Sequence, residues 1–144
     1  MRTLKACALS LLVAAPVLAS AETPDINAGQ WEYQTTMTMS AGGQTMPART
    51  TSNKDCVRQE DLTDPDLFGG DKLKDCEASD VQQTRSRLRY TLTCAAPDGS
   101  PYTLSADLKL QGDTMEGTMH GDMTSPMGPM KMRMALSGKR IGEC

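Results

Sequence analysis

From Trp31 the chain alternates. Trp31, Tyr33, Thr35, Met37 and Met39 take one parity, while Glu32, Gln34, Thr36 and Thr38 take the other. A period of two with aromatic and threonine enrichment predicts a half-buried strand over 31–39. Ala41-Gly42-Gly43 then turns the chain, and 45–53 returns as its partner. The rhythm stops over 57–75, where VRQEDLTDPDLFGGDKLKD has room for a single helical turn before Pro65 and the Gly69-Gly70 pair. Strands resume at 72–83 and 85–94, the second carrying Leu88, Tyr90, Leu92 and Cys94 on one face and Arg85, Arg87, Arg89, Thr91 and Thr93 on the other. Pro97-Asp98-Gly99 marks the next turn. Over 102–111, Tyr102, Leu104, Ala106, Leu108 and Leu110 alternate with Thr103, Ser105, Asp107 and Lys109.

Gly112-Asp113 is a two-residue hairpin signal. Closing there places Gln111 opposite Thr114, Leu110 opposite Met115, Leu108 opposite Gly117, Ala106 opposite Met119, Leu104 opposite Gly121 and Tyr102 opposite Met123. Large residues then face small ones down the ladder, and a slip of one residue would set the methionines against polar partners. A helix is the rival, because Met115, Met119, Met123 and Met127 recur every four residues. Interior glycine costs a helix about 1 kcal/mol and proline about 3 kcal/mol. Gly117, Gly121, Pro126 and Gly128 therefore favour a strand over 114–123. A turn at 125–129 leads to a last strand over 130–138, with Met130, Met132, Met134 and Leu136 on one face.

These elements predict an all-β chain: a mostly antiparallel meander of about seven strands, with at most one short helix. It forms a curved sheet or a partial or closed β-barrel, an architecture that manages edge strands and encloses ligands. Gly117 and Gly121 strip side chains from the inner face. They either leave a small apolar pocket with Leu104 and Leu108 or simply admit those two leucines.

The first residues change the picture of where this chain works. Arg2 and Lys5 precede an apolar run to Leu18, and Ala19-Ser20-Ala21 supplies small residues for cleavage. That predicts a secretory signal peptide over 1–21 and a single all-β domain over 22–144, with a periplasmic destination. Cys7 lies before most of the apolar run, which does not fit a lipidation site. Losing Arg2 and Lys5 takes the 15 basic residues to 13 against 18 acids, a net charge of about −5 that argues against nucleic acid and anionic lipid. Cys56, Cys76, Cys94 and Cys144 remain, an even count that reads as two disulfides with three possible connectivities. Closing the acidic loop points to Cys56–Cys76, and two strand-end positions point to Cys94–Cys144.

Candidate chemistry is sparse. Asp64, Asp66 and Gly69 suggest a calcium loop, but Phe68 stands where an oxygen ligand is needed. The arginine row reads as a solvated strand face. His120 alternates outward between Thr118 and Asp122, a poor place for a general base, and no nucleophile, base or metal constellation accompanies it. The methionines read as core filler in a sheet with only 3% aromatic residues, since an unbranched thioether fits irregular gaps. Their rival role is soft-metal binding, with Met115, Met119, His120, Met123, Met127 and Met130 as the candidate Cu(I) or Ag(I) ligands. The expected function is a non-catalytic binding module for a small apolar ligand or an envelope partner, without cofactor. A Met-rich Cu(I)/Ag(I)-binding protein and a purely structural or interaction domain are the alternatives.

Four segments together carry a resemblance: AGQWEYQTTMTM, MPARTTSNKDC, GDTMEGTMHGDM and ALSGKRIGEC. They resemble a bacterial family of exported proteins, the domain of unknown function 3617. Gly29-Gln30-Trp31-Glu32 stands where that family usually has Gly-Leu-Trp-Glu. The resemblance implies a periplasmic location and an all-β fold with four cysteines, and it brings no catalytic residues.

Overall fold

A computed structural model describes residues 22–63, 75–96, 98–125 and 128–144. Outside them lie the expected signal peptide, the calcium-like residues of the acidic loop, the first three residues of the strand expected at 72–83, Pro97 and Met127. The rest is all-β. Eight strands run in the order β1 (Gly29–Ala41), β2 (Gln44–Thr45), β3 (Arg49–Val57), β4 (Cys76–Gln83), β5 (Arg87–Ala95), β6 (Pro101–Gln111), β7 (Thr114–Ser125) and β8 (Gly128–Gly142). One 3-10 turn at Asp61–Thr63 supplies the single helical turn expected after β3. Among the described residues no helix is long and apolar enough to cross a membrane.

The strands form one antiparallel sheet in the order β2–β1–β8–β7–β6–β5–β4, with β3 also paired to β1. It curves without closing, so β2 and β3 on one side and β4 on the other remain as edges and the barrel alternatives give way to an open sheet. The expected hairpin register is present from Gln111↔Thr114 through Leu110↔Met115, Leu108↔Gly117, Ala106↔Met119 and Leu104↔Gly121. The ladder ends at Thr103↔Asp122, one step short of the Tyr102–Met123 pair. Gly112 makes this turn with φ 62, the left-handed conformation that glycine adopts without steric cost.

The expected return strand at 45–53 is instead two pieces. Three steps along β1, from Ser40 to Met37, face four from Thr45 to Arg49. The extra residue falls around Pro47, which has no N–H to give the ladder. A second irregularity lies in β4, where Ser79↔Thr91 is followed by Gln82↔Arg89. There Asp80 takes φ 53 and Val81 is 56% exposed.

Period two sends one side of every long strand inward. Four rows cross the sheet on that face, each read from the β1 side. They run Tyr33–Gly138–Met115–Leu110, then Thr35–Leu136–Gly117–Leu108–Leu88, then Met37–Met134–Met119–Ala106–Tyr90, then Met39–Met132–Gly121–Leu104–Leu92. The first two rows lie at a closed end. Ile26, bridged to Gly112, plugs it beside Trp31, whose indole N–H donates to the Asn27 carbonyl at 2.9 Å. Trp31 and Leu110 are 0% exposed there, and Leu62 of the 3-10 turn joins the same core. Burial is deepest on β5 and β6, where Leu88, Tyr90, Leu92, Leu104, Ala106, Leu108 and Leu110 are all buried, and it declines across β7 toward β8 and β1: Met115 and Met119 are buried, whereas Met123, Met130, Met132 and Met134 are half-buried. Within the expected methionine interior, full burial is confined to Met115 and Met119, with Met132 and Met134 packed against the same core from its margin. Alternation selects a face, but only material stacked on that face can bury it.

Both expected disulfide pairings are corrected. The bonds are Cys56–Cys144, with Cα atoms 5.7 Å apart, and Cys76–Cys94, at 4.0 Å. Cys76 and Cys94 are direct cross-strand partners in the β4–β5 ladder. Cys56 faces Gln30, which faces Gly142, so Cys144 leaves β8 beside Cys56. Cys56–Cys76 would have to join the two opposite edge strands.

Loop entropy ranks the two bonds. Closing 88 residues removes more unfolded-chain freedom than closing 18. The expected contributions are about 4.5 and about 3 kcal/mol. Urea unfolding of the paired Cys→Ala variants should show the Cys56/Cys144 variant as the weaker of the two.

Candidate ligand-binding site

The curl of the sheet turns its apolar face into a trough. A cavity of about 370 Å³ opens in it, floored by Leu104, Leu108, Met115, Met119, Met134 and Leu136. Ile26 and Val57 close its lower wall, and a polar side is formed by Tyr33, Thr35, Asn53 and Asp55 with Tyr90 across from them. Each polar member follows from period two. Asn53 and Asp55 on β3 stand opposite Tyr33 and Trp31 on β1, and so face inward with them.

Electrostatics sharpen that polar side. Burial, helped by the charge on Asp55, pushes the Tyr33 hydroxyl up to about 12. Burial also raises Tyr90 above the ordinary tyrosine range. Both phenols therefore stay protonated over the physiological range and offer O–H groups at the margin of an apolar hollow. Tyr33 stacks on Trp31 with ring centroids 6.1 Å apart, which holds its ring in place. Asp55 is anchored in turn, its Oδ1 accepting the Cys56 N–H at 2.9 Å.

Of the four residues expected to form a pocket, Leu104 and Leu108 line the cavity. Gly117 and Gly121 do not hollow it out. A Cβ on Gly117 would sit 2.6 Å from the Asp107 carbonyl oxygen and run into the Leu108 side chain. One on Gly121 would meet the Leu104 side chain in the same way. These glycines admit the leucines, and the hollow lies over Met115, Met119, Met134 and Leu136 instead. Gly138 makes room likewise for Met115, whose Cγ lies 2.6 Å from the Cβ it lacks.

The candidate metal set is not brought together. His120 pairs with Ser105 and Arg133 on the opposite, outer face. Met123 faces Met130 directly across the β7–β8 ladder, Met115 and Met119 line one cavity two rows apart, and Met127 lies outside the described residues. Among the described residues no group of three or more His, Cys, Asp or Glu side chains is placed to hold a metal ion. On the outer face the arginine row meets a carboxylate. Arg87 donates two hydrogen bonds to Asp107, at 2.7 and 2.6 Å, and Arg89 donates a third at 3.3 Å. These bonds, Arg87's foremost, hold the Asp107 carboxyl below its usual range.

Sequence reasoning placed Tyr33, Thr35 and Tyr90 on inward faces and gave Asn53, Asp55 and Val57 no role. The available signal was the alternation Asn53, Asp55, Val57 itself, read in register with Tyr33 and Trp31.

An open antiparallel sheet curled around an apolar, hydroxyl-edged hollow defines the class of protein. Residues 26–144 match the family described as protein of unknown function (DUF3617), and the chain belongs to that family. No curated protein and no solved structure matches it.

Two tests bear on this site. Gly117→Ala should destabilise by about 1–3 kcal/mol, because the new methyl meets backbone that cannot step aside; urea denaturation measures it. The raised Tyr33 pKa gives stability that is fully present below pH 10.0 and lost as pH rises through about 12. Spectrophotometric titration should show a late-ionising tyrosinate that disappears in Tyr33→Phe, along with part of the alkaline loss of stability. Tyrosines that all ionise in the ordinary range would contradict the buried placement of Tyr33.

Proposed function

We propose that this protein is exported to the periplasm and there binds a small, largely apolar ligand in the trough, as a carrier rather than a catalyst. The observation that carries this reading is the cavity of about 370 Å³ spanning six strands of one face. That volume falls in the range of small-molecule sites, and so does the lining, mostly apolar with a few polar groups at one side. The lining methionines, Met115, Met119 and Met134, suit the role, because flexible thioethers re-pack around guests of different shape. The leader-like residues 1–21 and the two disulfides support export, since such bonds persist in oxidising compartments.

The test uses an apolar fluorescent probe such as a phenylnaphthylamine. Saturable binding should occur with the native protein. Thr35→Phe, which fills the hollow from β1, should weaken it by at least about tenfold, or 1.4 kcal/mol, with the unfolding midpoint nearly unchanged. No saturable binding, or equal binding by the filled variant, would overturn the proposal.

A further inference from the structure

We propose that Met37, Met39, Met132 and Met134 form a soft-metal site that takes Cu(I), a function separate from apolar-ligand binding. Met37 faces Met134 and Met39 faces Met132 across the β1–β8 ladder. All four belong to the inner parity, so they occupy the corners of a block on one face. Opposite corners across the strands stand about 5 Å apart at Cβ, and corners along a strand about 7 Å apart. Unbranched side chains with three torsions each span such gaps, which lets sulfurs from both strands converge on one ion.

Partial burial leaves these positions room for a second role. The two buried methionines, Met115 and Met119, are 5% and 7% exposed and have packing to do. The four of the block are half-buried on the β1–β8 side of the face, where Met132 and Met134 pack against the core from its margin. Thioether sulfurs there are within reach of solvent and of an incoming ion. Met119, paired with Met134 from the β7 side, offers a further sulfur at the block's edge.

The chemistry selects the metal. Neutral thioethers are soft donors that suit Cu(I), while calcium, magnesium and manganese want oxygen. Zinc favours thiolate and imidazole. Cys56, Cys76, Cys94 and Cys144 are all committed to disulfides, and His120 is on the other face. Arg49, across from Met37 on β3, is exposed, which leaves its charge in water.

The experiment titrates Cu(I), held reduced anaerobically by ascorbate, against a bicinchoninate competitor, using disulfide-intact protein with any free thiol alkylated. Cu(I) is diamagnetic, so the ε-methyl resonances of labelled methionine report the ligands directly. The expected result is submicromolar binding with shifts concentrated at Met37, Met39, Met132 and Met134. The double variant Met132→Leu/Met134→Leu should lose affinity by at least about tenfold while remaining folded, since leucine lacks the donor sulfur but keeps the volume. Met115→Leu, two rows away, should bind as the native protein does. Absent or supramicromolar binding, shifts centred elsewhere, or undiminished affinity in the double variant would each overturn the site. The apolar-probe assay is run without copper and reads the hollow alone, so either reading can fail while the other stands.

Discussion

A single sheet with one apolar face and, among the described residues, no second layer has only itself to bury that face against. Everything else in this fold follows from that constraint. The sheet curls, and curling crowds the inner side chains of neighbouring strands, so some positions must give way. Gly117, Gly121 and Gly138 are those positions: Leu108, Leu104 and Met115 occupy the space their missing Cβ atoms leave. Large-against-small nesting fits the inner side chains of β6, β7 and β8 together. The lead-in segment seals one end through Ile26, and Trp31 is fully buried behind it. On the β1–β8 side the same face stays half covered, at Tyr33, Met37, Met39, Met132, Met134 and Leu136. The trough is therefore what remains where a one-layer sheet curls over its own inner face and leaves that side shallow.

An open sheet also keeps two edges, and the chain treats them differently. β3 carries exposed Arg49 and Lys54, the latter paired with Glu32 at 3.6 Å, and charged edges resist pairing with other chains. β4 is irregular, because the extra residue near Asp80 breaks the row of unpaired backbone groups a foreign strand would need. Each edge is then stapled. Cys76–Cys94 locks β4 to β5, and Cys56–Cys144 carries the chain's last residue to β3. The second bond spans β1, so it holds the wall that carries Asn53 and Asp55 against the β1–β8 ladder. Stability and site geometry share that bond.

Local chemistry was readable in the sequence, and non-local placement was not. The β6–β7 register followed from the Gly112-Asp113 turn together with the volumes of Leu108, Gly117, Ala106 and Met119, because each part of that argument lies within one hairpin. Pro47 was visible, yet its effect depended on where β1 and its return strand met, which shifted the register by one residue. The disulfides escaped for the same reason on a larger scale. Cys94 and Cys144 both end strands, but which strand end lies beside which is set by the order β3–β1–β8 and by the pairing of β4 with β5. Solvent exposure of the methionines was hidden too. Alternation put Met130, Met132 and Met134 on the inner face, and the depth of burial depended on which strand carries each residue, deep on β5 and β6 and shallow on β8 and β1.

Met134 belongs to both proposed sites, since it lines the cavity and forms a corner of the methionine block. A side chain turned toward a metal ion in the block is withdrawn from the floor of the hollow, and one packed against an apolar guest is withdrawn from the ion. The two occupancies are therefore coupled, and linkage makes the coupling reciprocal: the factor by which Cu(I) changes ligand affinity equals the factor by which ligand changes Cu(I) affinity. The sign follows from the shared sulfur. A mobile thioether can serve either partner, but its lone pair and its methyl cannot face both at once. Leucine at 134 would keep the floor and remove the competition, whereas the native methionine ties the two sites together. The same flexibility that lets a thioether fill irregular space makes it the one apolar side chain in this trough able to change partners.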